Sequence, residues 1–246
     1  ELLKLVASKE SISMWGEWLD DAKAIRLKLQ NFDEGLAERM PNKIIELISD
    51  YAKEDEIVTA DVGQHQVWVA QSFRFKEKQN VLFSGGHGAM GFSLPAGIGA
   101  AIGTKRHAMV LVGDGSFQMN IQELQWVYRE QIPMTIIVLN NASLGLIQQQ
   151  QDDMFSGTYA ASTAESGYTV PDFAAVASAY KIDSYVAESP ESLKEILDSL
   201  DTSKPALIDL RLDVKSRAFP KTNFGEAMYN QRPYMPAELL NELLEM

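Results

Sequence analysis

Two polar side chains, each placed where an apolar run ends, offer the clearest chemistry in this chain. Val110-Leu-Val-Gly-Asp-Gly-Ser-Phe117 carries Asp114 just past one run, and Ile136-Ile-Val-Leu-Asn-Asn141 carries Asn141 just past the next, twenty-seven residues later. That separation is the length of one strand-helix-strand unit, which sets both side chains at the carboxyl ends of neighbouring parallel strands, where open α/β sheets bind ligands. One carboxylate and one carboxamide make an oxygen-only metal site that needs further oxygens. Magnesium suits such a site, because it is usually held by one or two carboxylates plus substrate phosphates. Gly113 and Gly115 allow close backbone approach to a diphosphate, and the Ser116 hydroxyl is expected to donate to it where the next helix begins. The constellation reads as a magnesium diphosphate cradle.

The surrounding pattern supplies elements to hold these groups. The periodicity predicts strands over 55–62, 81–83, 108–112, 135–139, 184–186 and 205–212. Helices are expected over 41–53, 92–102, 121–130, 171–180, 192–200 and 237–246, and 66–75 is compatible with a helix. Small residues in 92–102 let that helix lie close to the sheet. The stretch 142–168 shows no clear period and is expected to be an irregular segment beside the site. The alternation predicts an α/β fold, a mostly parallel sheet with helices on both faces. Residues 1–34 are charged and helical in pattern and read as a connector, 35–214 as the binding domain, and 215–246 as a tail and helix.

Composition removes several function classes. The formal net charge is −12, which argues against a sequence-independent grip on nucleic acid. No apolar run reaches the roughly 18 residues of a membrane helix. With no cysteines there is no disulfide or thiolate chemistry, which fits a reducing cytoplasm. The three histidines, at 65, 87 and 107, lack zinc-site spacing. Gly86-His-Gly-Ala-Met-Gly91 also imitates a dinucleotide fingerprint, with Asp114 as its acidic residue. That reading leaves Asn140-Asn141 without a role and puts the acid inside Gly-Asp-Gly-Ser rather than alone at a strand end.

The Gly-Asp-Gly-Ser run, the spacer and the Asn pair resemble the signature of thiamine-diphosphate-dependent enzymes. Asp61-Val-Gly-Gln-His-Gln66 and Gly85-Gly-His-Gly-Ala-Met-Gly-Phe92 narrow the resemblance to the acetolactate (acetohydroxyacid) synthase large subunit, in its carboxyl-terminal diphosphate-binding domain. The resemblance implies that Asp114, Asn141 and the Ser143 carbonyl hold Mg2+. It places Val62, Gly63, Gln64 and His65 along the diphosphate, with Gly113, Gly115, Ser116, Leu144, Gly145 and Leu146 completing the cofactor site. Met90 would hold the two cofactor rings bent toward each other, and the Gly88 carbonyl would fix the 4′-amino group. A neutral His65 can still donate one hydrogen bond to phosphate.

The resemblance further implies decarboxylation of a 2-ketoacid such as pyruvate and its joining to a second one, in a homodimer. Gln150 stands where the family has a tryptophan of the acceptor pocket, so a different 2-ketoacid chemistry is an alternative. A non-catalytic cofactor-binding partner subunit is another. The family's activating glutamate belongs to an amino-terminal pyrimidine-binding domain that nothing upstream of Asp61 resembles. The chain alone is therefore expected to bind cofactor weakly and not to turn over, and no catalytic acid or base is assigned within it.

Overall fold

The computed structural model describes residues 9–34, 40–222 and 225–245. β3 (Ala108–Gly113) and β4 (Met134–Asn140) are buried at every position, as unbroken apolar runs are when a sheet is covered on both faces. With β1 (Ile57–Ala60), β2 (Asn80–Phe83), β5 (Asp183–Ala187) and β6 (Ala206–Arg211) they form one sheet in the order β2-β1-β3-β4-β6-β5. Every pairing is parallel. The α/β expectation is met.

Alternate strand residues feed two cores. Val58, Met109, Leu111, Ile137 and Ile208 meet Ile45 and Ile48 of the helix Met40–Tyr51, Trp68 of Gln64–Ser72 and Leu193 of Pro190–Ser199. Ile57, Val110, Val112, Ile136 and Leu207 face the other way, onto Leu94 and Ile98 of the helix Ser93–Thr104, Phe117, Leu124 and Phe173. Helix Ser93–Thr104 lies so close to the sheet that a Cβ on Gly97 would sit 2.7 Å from Val110 Cγ2. Its small residues serve the role expected of them.

Strand order decides where a site can form. From β1 the chain passes to β2 on one side and then crosses to β3 on the other, so the β1/β3 boundary is a topological switch point with an open crevice at its carboxyl end. The β3/β4 register pairs Gly113 with Leu139, which sets Asp114 level with Asn140 and one step short of Asn141.

Two local expectations change. The stretch 142–168 contains an eleven-residue helix, Gly145–Phe155. Its inward positions are glutamines rather than aliphatics, so hydrophobic periodicity could not reveal it. The helix expected over 121–130 is a 3-10 turn, Ile121–Glu123, followed by Leu124–Arg129, and a separate short helix begins on Asp114 itself (Asp114–Met119). The sheet and its helices form one compact unit, Pro41–Ala218. The other unit contains the helix Lys9–Glu34, the antiparallel pair Lys221–Thr222 and Gln231–Arg232, and the helix Ala237–Glu245, with Lys28 paired to Glu242. Among the described residues no helix is long and apolar enough to cross a membrane.

Candidate functional site

Three helices start immediately beyond β1, β3 and β4: Gln64–Ser72, Asp114–Met119 and Gly145–Phe155. Their first turns line a cleft of about 540 Å³. The opening N–H groups of a helix lack intrahelical acceptors and carry partial positive charge, so convergent helix starts favour an anion. No lysine or arginine is among the described residues lining the cleft. Attraction for an anion must therefore come from backbone dipoles and from any cation that Asp114 helps to hold.

Asp114 is only 3% exposed. Its Oδ1 accepts from the Gly115 N–H at 2.6 Å and the Tyr168 hydroxyl at 3.0 Å, and its Oδ2 accepts from the Ser143 N–H at 3.2 Å. Burial raises its pKa to about 6, against the opposing effect of those hydrogen bonds.

The two asparagines divide their work. Asn140 donates to Asp209 at 2.9 Å and accepts from the Ala142 N–H, bracing β4 against β6. Asn141 lines the cleft and donates Nδ2 to Gln64 Oε1 at 3.1 Å. Gln64 in turn donates to Gln149 Oε1 at 3.2 Å and to the Ser216 carbonyl at 2.9 Å. Gln149 and the Ala218 backbone exchange two bonds, 2.9 and 3.1 Å. Asn141 is thus oriented by a buried glutamine network.

His65 occupies the floor between β1 and β3. Burial lowers its pKa to about 4, with the Asp61 charge opposing the shift, so the ring is neutral near pH 7. Its Nε2 is buried without a hydrogen-bond partner. An orphaned buried donor or acceptor is costly unless a ligand completes it. The ring lies so close to Gly113 that a Cβ there would be 2.8 Å from it. At Gly115 a Cβ would come 2.4 Å from Leu144 Cδ2, and at Gly145 it would come 2.0 Å from Gln64 Oε1. Glycine is the residue these close approaches require.

Asp61 holds the opposite wall. Its Oδ1 accepts from the Val62 and Gly91 N–H groups at 2.8 and 2.9 Å, and its Oδ2 accepts from the Ser93 N–H at 2.6 Å. One buried carboxylate therefore caps the helix Ser93–Thr104 from a distance and ties the turn carrying Gly88 and Met90 to the end of β1. Gly88 takes φ +63° in that turn, and Met90 reaches the cleft.

Residues 61–210 match the model of the thiamine pyrophosphate enzyme, C-terminal TPP binding domain. The chain belongs to this family. It is 36% identical over 187 residues to the acetolactate synthase large subunit of Lactococcus lactis, covering 75% of this chain and 32% of that protein. Against the acetolactate synthase large subunit of Haemophilus influenzae it is 33% identical over 237 residues, 95% of this chain and 40% of the relative. The chloroplastic acetolactate synthase 2 of Brassica napus is 35% identical over 214 residues, 84% and 34% of the two chains. The chain thus spans about a third to two fifths of the length of these curated relatives.

The geometry of this thiamine pyrophosphate domain suits the diphosphate end of that cofactor. Three helix starts and a glycine-lined approach face the same cleft, and His65, whose buried Nε2 has no hydrogen-bond partner, is among its lining residues. Asp114, Asn141 and Ser143, expected as metal ligands, line it together, as do Val62, Gly63, Gln64, His65, Met90, Gly113, Gly115, Ser116, Leu144, Gly145 and Leu146. Gly88 is the exception among the expected residues: it lies in the Met90 turn, outside the lining itself. The Ser116 hydroxyl donates to the Val62 carbonyl at 2.9 Å and so ties the second helix start to the end of β1. Gln150 is exposed, with its amide nitrogen 3.7 Å from the Met154 sulfur, and does not line the cleft.

Trp68, Leu139 and Ile147 complete the lining. Sequence reasoning quoted Asp61 within a motif without giving it a role, although an acid at a strand end was a usable signal, and it passed over Tyr168. For Tyr168, fifty-four residues from Asp114, no local signal existed.

Proposed function

We propose that this domain binds thiamine diphosphate with Mg2+ and forms the diphosphate-binding part of an acetolactate-synthase-like enzyme, which decarboxylates a 2-ketoacid such as pyruvate and joins the product to a second 2-ketoacid. The observation that carries this reading is the convergence of Asp114, Asn141 and Ser143 beside an unpartnered His65 nitrogen at the β1/β3 switch point. When bound, thiamine diphosphate supplies a nucleophilic thiazolium carbon and an electron sink for decarboxylation. The protein positions it. Asp114, Asn141 and the Ser143 carbonyl would hold the metal, and the three helix starts with His65 would hold the phosphates. Met90, kept in place by the Asp61 clamp, would shape the cofactor, while Leu144, Leu146 and Ile147 would keep water from its reacting end.

The activating carboxylate is assigned to a pyrimidine-binding domain on a homodimer partner, so the chain alone binds cofactor weakly and does not turn over. A reducing cytoplasm suits a protein without cysteines. The experiment is calorimetric titration of thiamine diphosphate into the protein, with Mg2+ and with EDTA. Heat that requires Mg2+ supports the cofactor reading, and its absence at millimolar cofactor in a folded sample refutes it. Pyruvate consumption on adding a protein that carries a pyrimidine-binding domain then tests the reaction.

A further inference from the structure

We propose that Tyr168 is a positioning residue for Asp114, and that the turn preceding it braces two metal ligands at once; the inference rests on the magnesium reading above. Asp114 is nearly inaccessible, and among the described residues three donors lie within hydrogen-bond distance of its carboxylate. Two are backbone N–H groups, from Gly115 and Ser143. The third, the Tyr168 hydroxyl, is the one side-chain donor to this carboxylate among the described residues. A Cβ on Gly115 would sit 3.2 Å from this hydroxyl, so the glycine leaves room for it.

Tyr168 is itself held by the turn it ends. Its backbone N–H donates to the Thr163 carbonyl at 2.9 Å, and the Ser166 hydroxyl accepts from the Ser162 and Thr163 N–H groups, both at 3.0 Å. The same turn reaches the other expected ligand. The Ser162 carbonyl accepts from the Ser143 hydroxyl at 2.8 Å and from the Leu144 N–H at 3.0 Å. Ser162 and Thr163 are buried although they lie in a loop. One end of a short turn thus fixes the backbone at Ser143, and the other fixes the side chain of Asp114.

A ligand carboxylate held by an outer hydrogen-bond donor needs less reorganisation to meet a cation, and loss of such a donor typically weakens metal binding about ten- to a hundred-fold. Tyr168 touches the ligand and not the metal, so the defect belongs to metal affinity and should yield to excess metal.

The test titrates Mg2+ into the full chain at saturating thiamine diphosphate, for wild type and Tyr168→Phe, with circular dichroism melting to show that both are folded. The expected result is a Mg2+ Kd raised about ten- to a hundred-fold in the variant, with thiamine diphosphate affinity returning to the wild-type value at high Mg2+. An unchanged Mg2+ Kd in folded Tyr168→Phe would overturn the proposal. So would a cofactor defect that high Mg2+ does not repair, since that would mark general damage to the turn. Wild type that shows no Mg2+-dependent binding would instead remove the magnesium reading itself, and this proposal with it.

Discussion

At the amino ends of β1, β3 and β4, Glu56, His107 and Thr135 join in a closed chain of hydrogen bonds, whereas at the carboxyl ends of the same strands His65, Asp114 and Asn141 face a cleft. In the first group His107 Nδ1 meets Glu56 Oε1, His107 Nε2 lies 3.2 Å from the Thr135 hydroxyl, and Glu56 Oε2 accepts from the Lys53 N–H at 3.1 Å. In the second group a ring nitrogen is left without a partner. Both ends bury ionisable groups among apolar residues. Burial of polar groups therefore does not mark the functional end of this sheet; unfinished hydrogen bonding beside open space does.

The contrast can be broken or sharpened by experiment. The largest effect is expected at Asp114, where Asp114→Ala should abolish Mg2+-dependent thiamine diphosphate binding in calorimetry. A pair of unit charges 4 Å apart near a protein surface is worth about 4 kcal/mol, so retention of more than about a hundredth of wild-type affinity would count against a metal role.

The next effect is on stability against pH in metal-free protein. The Asp114 carboxyl titrates near 3.8 unfolded and about 6 folded, so in that interval the native state holds the extra proton and stability falls as pH rises. His65 titrates near 6.5 unfolded and about 4 folded, so its contribution is complete above 6.5 and is lost as pH falls through that window. Each amounts to something on the order of 2 to 3 kcal/mol, with opposite slopes over nearly the same range. Urea denaturation should show that Asp114→Asn steepens the rise of stability with pH relative to wild type, and that His65→Gln tilts the curve the other way. Parallel curves for all three proteins would mean that neither burial shift is present.

At the amino end, His107→Ala leaves Glu56 and Thr135 without their shared partner, and should lower stability by about 2 kcal/mol while thiamine diphosphate affinity stays at the wild-type value. A change in affinity would show that the two ends communicate. The smallest effect is expected at Gly145→Ala. The new Cβ, 2.0 Å from Gln64 Oε1, must displace the glutamine that orients Asn141, lowering Mg2+ affinity about ten-fold, roughly 1.4 kcal/mol, with an overpacking loss of about 1 kcal/mol in stability.

Much of the sheet and of the cleft lining was legible because it is local. Continuous apolar strands, glycines beside a carboxylate and an asparagine pair all sit within a few residues of the features they report. The helix Gly145–Phe155 was not legible, because Gln148 and Gln149 fill buried positions where aliphatic residues would have declared the period. Asn140 and Asn141 look equivalent in sequence and separate only once β6 presents Asp209 to the first. The Ser116 hydroxyl and Tyr168 depend on partners more than fifty residues away, beyond the reach of a pattern reading.

A cleft whose helix starts favour an anion, on a chain of net charge −12, also has a kinetic consequence. Helix dipoles act within about a turn, while the net charge acts over about a Debye length, ~10 Å at 0.1 M salt. An approaching diphosphate is therefore repelled at a distance and attracted only on arrival, the reverse of electrostatic steering. Added monovalent salt should speed cofactor association, and stopped-flow fluorescence would show the rate constant climbing with ionic strength where a lysine-lined site would show it falling.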